Sequence, residues 1–153
     1  MEVEFPTERK IAQLGQKVDA TPCTVVSATS TGDSAVLFGS LLVYDDSGIG
    51  LCKVPTAKAH LDKPLGIALR DNSGQDYPPK SPIAVLRQGR VWVSCKDDVL
   101  PGDPVHVVIG ADGLRFTNKV AEGAIKLKCA IYLESAQKNG LAPVEINFLG
   151  GAQ

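Results

Sequence analysis

The feature that most restricts this chain is how short its apolar runs are and how they alternate. Hydrophobic residues come in brief stretches: CTVVSA at 23–28, AVLFGSLLVYDD at 35–46, GIGLCKV at 48–54 and PLGIALRD at 64–71. PIAVLRQ, GRVWVSC, PVHVVIG, GLRFTN, AIKLKCAIYLES and LAPVEINFLG follow in the second half. In AIKLKCAIYLES, Ile125, Leu127 and Cys129 alternate with Lys126 and Lys128, the period-two pattern of a half-buried strand. In GRVWVSC, Val91, Val93 and Cys95 share one face while Trp92 and Ser94 share the other. Nowhere does an apolar stripe hold a helical period for long. Fifteen glycines and ten prolines break the runs. Nine or ten short strands at close spacing predict an all-β fold, a compact antiparallel β-barrel or sandwich with little helix. The alternation is the same for either. The strands share no motif, so no internal repeat is expected.

The breaks predict the connections. Gly39 interrupts AVLFGSLLVYDD and marks a bulge or a bend between two strands. Tyr44–Gly48 has turn composition, and Pro101-Gly102-Asp103-Pro104 has it too, with Asp103 able to accept from nearby backbone donors. Gln88-Gly89-Arg90 reads as a tight hairpin between PIAVLRQ and VWVSC, with glycine free to take a positive φ. Asp71–Pro82 is the one long loop able to border a pocket. Residues 1–22 carry charges of both signs and read as an extended N-terminal arm, with a single domain over 23–153. Within that arm Val3, Phe5 and Pro6 are apolar residues in a charged segment, and they are candidates for contact with a partner. Trp92, on the second face of its strand, is a candidate for the core or for an oligomer contact.

Charge and composition narrow the function. A formal net charge of −1 and few aromatic residues give no surface for nucleic acid, neither a cationic field nor a stacking platform. MEVEFPTERK is not a signal peptide, and no apolar run approaches the roughly 18 residues that span a bilayer. A soluble protein made in a reducing cytosol is expected. Cys23, Cys52, Cys95 and Cys129 are too widely spaced for a zinc site and read as buried free thiols.

Catalytic constellations are missing in turn. Asp45-Asp46 and Asp97-Asp98 are adjacent on the chain and point to opposite faces, so turn chemistry explains them better than acid–base work. His60 has no nucleophile placed beside it. His106, between Val105 and Val107, faces away from them and reads as an exposed or interface side chain. G-x-S-x-G is absent, Gly48-Ile49-Gly50 opens a strand instead of a phosphate-binding helix, and no lysine sits at a carrier-type hairpin. No catalytic, cofactor-binding or metal-binding residues are assigned.

The order of motifs, FGSLLVYD, PLGIALRD, a proline-rich loop, PIAVLRQGRVWVSCKDDVLPGDPVHV and AIYLESAQKNGLAPVEINFLG, resembles the structural cement, or head decoration, proteins of tailed bacteriophages. The likeness runs from about Gly15 to Leu149. It implies a non-enzymatic virion protein without cofactors that binds the outer face of an icosahedral capsid. There it would stabilise contacts between major capsid protein subunits and act as a homo-oligomer, a trimer or a dimer. Val3, Phe5, Pro6, Trp92 and His106 are the residues placed at capsid or oligomer contacts. The alternative is a β-barrel enzyme or carbohydrate-binding module with a pocket near 71–82.

Overall fold

A computed structural model describes residues 12–19, 21–57, 60, 61, 63–71, 73, 75–110, 113–120 and 124–149. The described residues form nine strands, and no α-helix occurs among them. They are β1 (Thr24–Ser30), β2 (Leu41–Tyr44), β3 (Leu51–Lys53), β4 (Pro64–Ala68), β5 (Pro82–Ser94), β6 (Pro104–Gly110), β7 (Gly113–Thr117), β8 (Ala124–Tyr132) and β9 (Leu141–Asn147). The sheet order is β1-β3-β2-β4-β5-β9-β8-β6-β7, and β1 also pairs with β5. That extra pairing closes β1, β3, β2, β4 and the first half of β5 into a five-stranded barrel. Closure removes free strand edges, which is how a chain of short strands satisfies its backbone without helices.

The second half of β5 does not turn back. PIAVLRQ and VWVS belong to one 13-residue strand, not the hairpin expected at Gly89. Gly89 takes φ +141 inside the strand, and a Cβ there would lie 2.9 Å from the Cβ of Cys23. The glycine lets β5 pass close to another segment where it leaves one barrel for the next. Beyond it β5 pairs with β9 through Val91↔Val144 and Val93↔Ala142. β9 pairs with β8, β8 with β6, and β6 with β7. One parallel bridge, Cys95↔Phe116, brings β7 back to the end of β5.

This second set repeats the first. The parallel pair Ser30↔Cys52 recurs as Cys95↔Phe116, Ala28↔Ile83 as Val93↔Ala142, and Ala68↔Val85 as Tyr132↔Val144. The isolated bridge Val36↔Tyr77 recurs as Val99↔Ala136. Each lead-in ends in a glycine with left-handed backbone, Gly39 at φ +79 and Gly102 at φ +84. Even the uncommon left-handed non-glycine residues correspond, with Lys80 preceding β5 and Asn139 preceding β9. The fold is an internal duplication sharing β5, contrary to the expectation of no repeat.

Two apolar clusters follow from this architecture. The smaller fills the first barrel with Val36, Phe38, Leu42, Cys52, Leu65, Tyr77, Ile83 and Val85. The larger joins the interior of the second set (Val93, Val105, Phe116, Tyr132, Val144) to the outer face of the first (Leu41, Val43, Ile67, Leu86). Both faces of β2 are therefore buried, which is why LLV reads as a continuous apolar run and not as an alternation.

Candidate interaction surface

Residues with chemical potential are occupied by structure. Asp45 accepts from the Ser47 hydroxyl at 2.6 Å, the Ser47 N–H at 2.8 Å and the Thr31 hydroxyl at 2.6 Å. These bonds, those from Ser47 first, hold its carboxyl far below the usual range. Asp97 accepts from the Thr117 hydroxyl at 2.6 Å, and Asp98 from the backbone of Lys138 at 2.7 Å. Asp103 behaves as its turn predicts, accepting from the Leu100 N–H at 2.9 Å and from Asn118 Nδ2 at 2.7 Å. Among the described residues, no group of three or more His, Cys, Asp or Glu side chains converges in a way that could hold a metal.

All four cysteines are free. Cys52 and Cys95 are buried, and desolvation pushes the Cys52 thiol up to about 11, so neither behaves as a nucleophile. Cys129 departs from expectation and is exposed. It takes φ +62 at a register shift between β6 and β8, so the alternation slips by one residue and Ala130 occupies the inward position. A bulge of this kind leaves no mark in the alternating sequence.

Among the predicted contact residues, Val3, Phe5 and Pro6 lie outside the described residues. Trp92 is half-buried, opposite Pro143 of β9, and its backbone exchanges hydrogen bonds with Gly15 and Gln16. The segment around Lys17 is thus laid along β5, and Arg90 fastens it by reaching Asp19 at 3.1 Å and Glu145 at 3.2 Å. His106 is 4% exposed, which corrects the exposed half of the expectation that it is an exposed or interface side chain. It stands on the central strand of three, paired with Thr117 of β7 on one side and Lys126 of β8 on the other.

The described residues of the loop Asp71–Pro82 are anchored at Tyr77. Tyr77 is buried, exchanges backbone hydrogen bonds with Val36 and donates its hydroxyl to the Leu69 carbonyl at 2.6 Å. Its ring meets Phe38 edge-on at 5.4 Å. Tyr77 thus ties the described part of the loop into the apolar cluster of the first barrel.

Open apolar surface lies elsewhere. A groove of about 590 Å³ lies where β8 and β9 meet, lined by Pro104, the exposed Cys129 and Ile131, the largely buried core residues Leu127 and Ile146, and their polar neighbours. A smaller one of about 290 Å³ at the β5–β7 seam is lined by Leu14, Leu37, Phe38, Leu114 and Phe116. Neither offers convergent polar groups of the kind an enzyme places around a substrate. Their shape suits macromolecular contact. Sequence reasoning missed the larger groove because Ile131 looks like an ordinary strand residue until the bulge at Cys129 is known.

The model of a family described as structural cement protein (E217 gp24/Pam3 gp6) matches residues 4–147. The chain belongs to the phage structural cement proteins. Its fold is shared with a chain from the capsid of Myoviridae phage XM1, at a TM-score of 0.70 and 19% identity over 96% of this chain and 98% of that one. The N base of head fiber gp8.5 of bacteriophage phi29 is similar at a TM-score of 0.51 and 21% identity, over 81% of this chain and 95% of that one. No curated protein matches. The cement family accounts for a molecule built of strand-locking turns and apolar surface, and it gives no support to the enzyme or carbohydrate-binding alternative.

Proposed function

We propose that this cement protein sits on the outer face of the icosahedral head as a homo-oligomer, a trimer or a dimer, and bridges neighbouring major capsid protein subunits. The observation that carries this reading is the family match across nearly the whole chain. The protein works without catalysis, cofactor, nucleic acid or membrane, and it is made in the host cytoplasm before joining the virion. Several modest contacts from one oligomer reinforce one another through effective concentration, so each patch can be small. The contacts we assign are the N-terminal residues Val3, Phe5 and Pro6 together with the half-buried Trp92. His106, the remaining candidate, is covered in the monomer and would meet a partner only where that cover is displaced.

The experiment adds purified protein to expanded heads that lack it and measures bound protein and the temperature of head disruption. Saturable binding with a raised disruption temperature is expected. Deleting residues 1–10 should leave the folded body intact and weaken attachment. Heads that bind no protein and break at an unchanged temperature would refute the cement reading of this chain.

A further inference from the structure

The duplication lets each surface of one half be compared with its counterpart, and one pair does not match. On the first barrel the outer face of β2, β4 and β5, formed by Leu41, Ile67 and Leu86, is fully buried in the larger core. By register the counterparts in the second set are Pro104, Ile131 and Glu145. These line the 590 Å³ groove, and Ile131 is 44% exposed. The cleft between the strands differs as well. In the first barrel Arg87 closes it, donating from Nε to the Leu65 carbonyl at 3.0 Å and from Nη2 to the Phe148 carbonyl at 2.9 Å. The counterpart of Arg87 is Ile146, which has nothing to donate.

The strand that borders this cleft is also longer than its counterpart. β4 has five residues and β8 has nine. β9 pairs only with Ala130, Ile131 and Tyr132 of β8, then stays with β5 through Asn147↔Gln88. Ala124–Lys126 therefore pairs with β6 on one side, and along Ala124–Lys128 no described strand pairs on the other. Along this stretch Ile125 and Leu127 face the core, while Lys126 and Lys128 face outward and have no ion-pair partner among the described residues. An open edge with this pattern accepts an added strand whose apolar residues alternate with acids.

We propose that the cleft between β8 and β9 is an acceptor groove for the N-terminal segment Glu2–Phe5 of a second copy of this chain, added as a strand beside Ala124–Lys128. Glu2-Val3-Glu4-Phe5 has the required alternation, setting two carboxylates toward Lys126 and Lys128 and two apolar side chains toward Leu127 and Ile146. Pro6 then ends the strand, because it cannot continue a hydrogen-bonded ladder. Eleven residues precede Ala12, enough to reach roughly 35 Å when extended. They depart from the β5–β7 seam near Leu14, and the strand order sets β7 and β6 between that seam and β8. The occupant is taken to be the segment of a neighbouring copy; the same length would also span to the protomer's own groove, and cross-links within one chain are the outcome that identifies that case. Each protomer carries one such segment and one groove, so the exchange closes a dimer or a small ring.

Cys129 lies in the groove and provides the test. Phe5→Cys in a Cys23→Ser background, treated with diamide both in solution and on heads, is expected to give covalent dimers or ladders that disappear with Cys129→Ser. Lys126→Glu with Lys128→Glu should weaken self-association about tenfold, and adding Glu2→Lys and Glu4→Lys should restore it. Circular dichroism of each variant checks that the body is folded. Disulfides formed only within one chain, no cross-link in either setting, or failure of the charge exchange in folded protein overturns the proposal. Head binding is scored in the same samples. Protein that binds heads without cross-linking removes the groove and leaves the cement function standing, and cross-linked protein that ignores heads does the reverse.

Discussion

The two halves of this molecule share a backbone plan and differ in how they fill it. Where the first barrel holds the small residues Cys52 and Ala68, the second strand set holds Phe116 and Tyr132. Where the first has the ring pair Phe38 and Tyr77 at the end of the barrel, the second has Pro101 and Ala136. Bulk has moved from the end of the barrel to its middle, while the hydrogen-bonded frame has stayed. Gly39 and Gly102 each donate across to the following strand pair, to the carbonyls of Ala68 and Tyr132, at 2.8 Å in both halves. The frame is fixed by turns and registers, which tolerate no substitution of backbone geometry. The core asks only that total volume be conserved.

The sharpest way to break this correspondence is at Gly66 and Ala130, which occupy the same place in β4 and β8. A Cβ at Gly66 would fall 2.2 Å from the Leu86 carbonyl oxygen and 2.7 Å from Val85 Cγ1. Ala130 carries that Cβ in the second half without conflict. Gly66→Ala should therefore cost about 3 kcal/mol, at the top of the range for overpacking, because backbone must shift. Ala130→Gly should cost only about 1 kcal/mol, from chain entropy and a lost methyl group. Urea denaturation of both variants measures the pair. Equal costs would mean that the halves pack β4 and β8 alike.

The same contrast explains what could be read in the sequence. Strand positions, the bend at Gly39, the turn at Pro101–Pro104 and the turn bonds of Asp45 were legible, since alternation and turn chemistry are local. The duplication was not. A repeat is recognised by shared side chains, and Val36-Leu37-Phe38-Gly39 and Val99-Leu100-Pro101-Gly102 keep only three of four. The continuous β5 was hidden because Gly89, chosen for a close approach, carries the same letter as a hairpin glycine. The outward turn of Cys129 was hidden because a bulge depends on the partner strand. For the interaction surface, an apolar arm could be seen in the chain, but its acceptor could not. That groove exists only where two distant strands diverge.

A change of opposite sign is expected inside the second half. Tyr132 is fully buried, its hydroxyl has no hydrogen-bond partner, and burial raises its pKa. The large ring that replaces Ala68 thus carries a polar atom that the duplicated frame does not satisfy. Tyr132→Phe keeps the ring and removes the unpaired hydroxyl, so it should stabilise the protein by about 1 kcal/mol. Thermal unfolding gives the answer. A loss of stability would show that the hydroxyl makes a contact the barrel requires.

The smallest difference concerns acid. Each half ties a seam with a carboxylate: Asp45 with Ser47 and Thr31 in the first, Asp97 with Thr117 in the second. Asp103 adds a third, held by Asn118 and the Leu100 N–H. In all three, hydrogen bonds lower the folded pKa below the ordinary value near 4. A depressed folded value means the stabilisation is fully present above the unfolded pKa and is lost as pH falls through the folded one. The melting temperature should stay level from neutral pH to about pH 5 and decline below about pH 4. Asp45→Asn should lower it slightly at neutral pH and flatten part of that decline. Asp97→Asn combined with Asp103→Asn should flatten more of it, because the second half has two such carboxylates. The three groups are exposed enough that the effect is modest, and a decline of equal size in every variant would place the acid sensitivity elsewhere. If instead only the Asp45 variant flattens the curve, the first barrel is the half whose opening limits stability, and the two copies of the frame are unequal in strength as well as in filling.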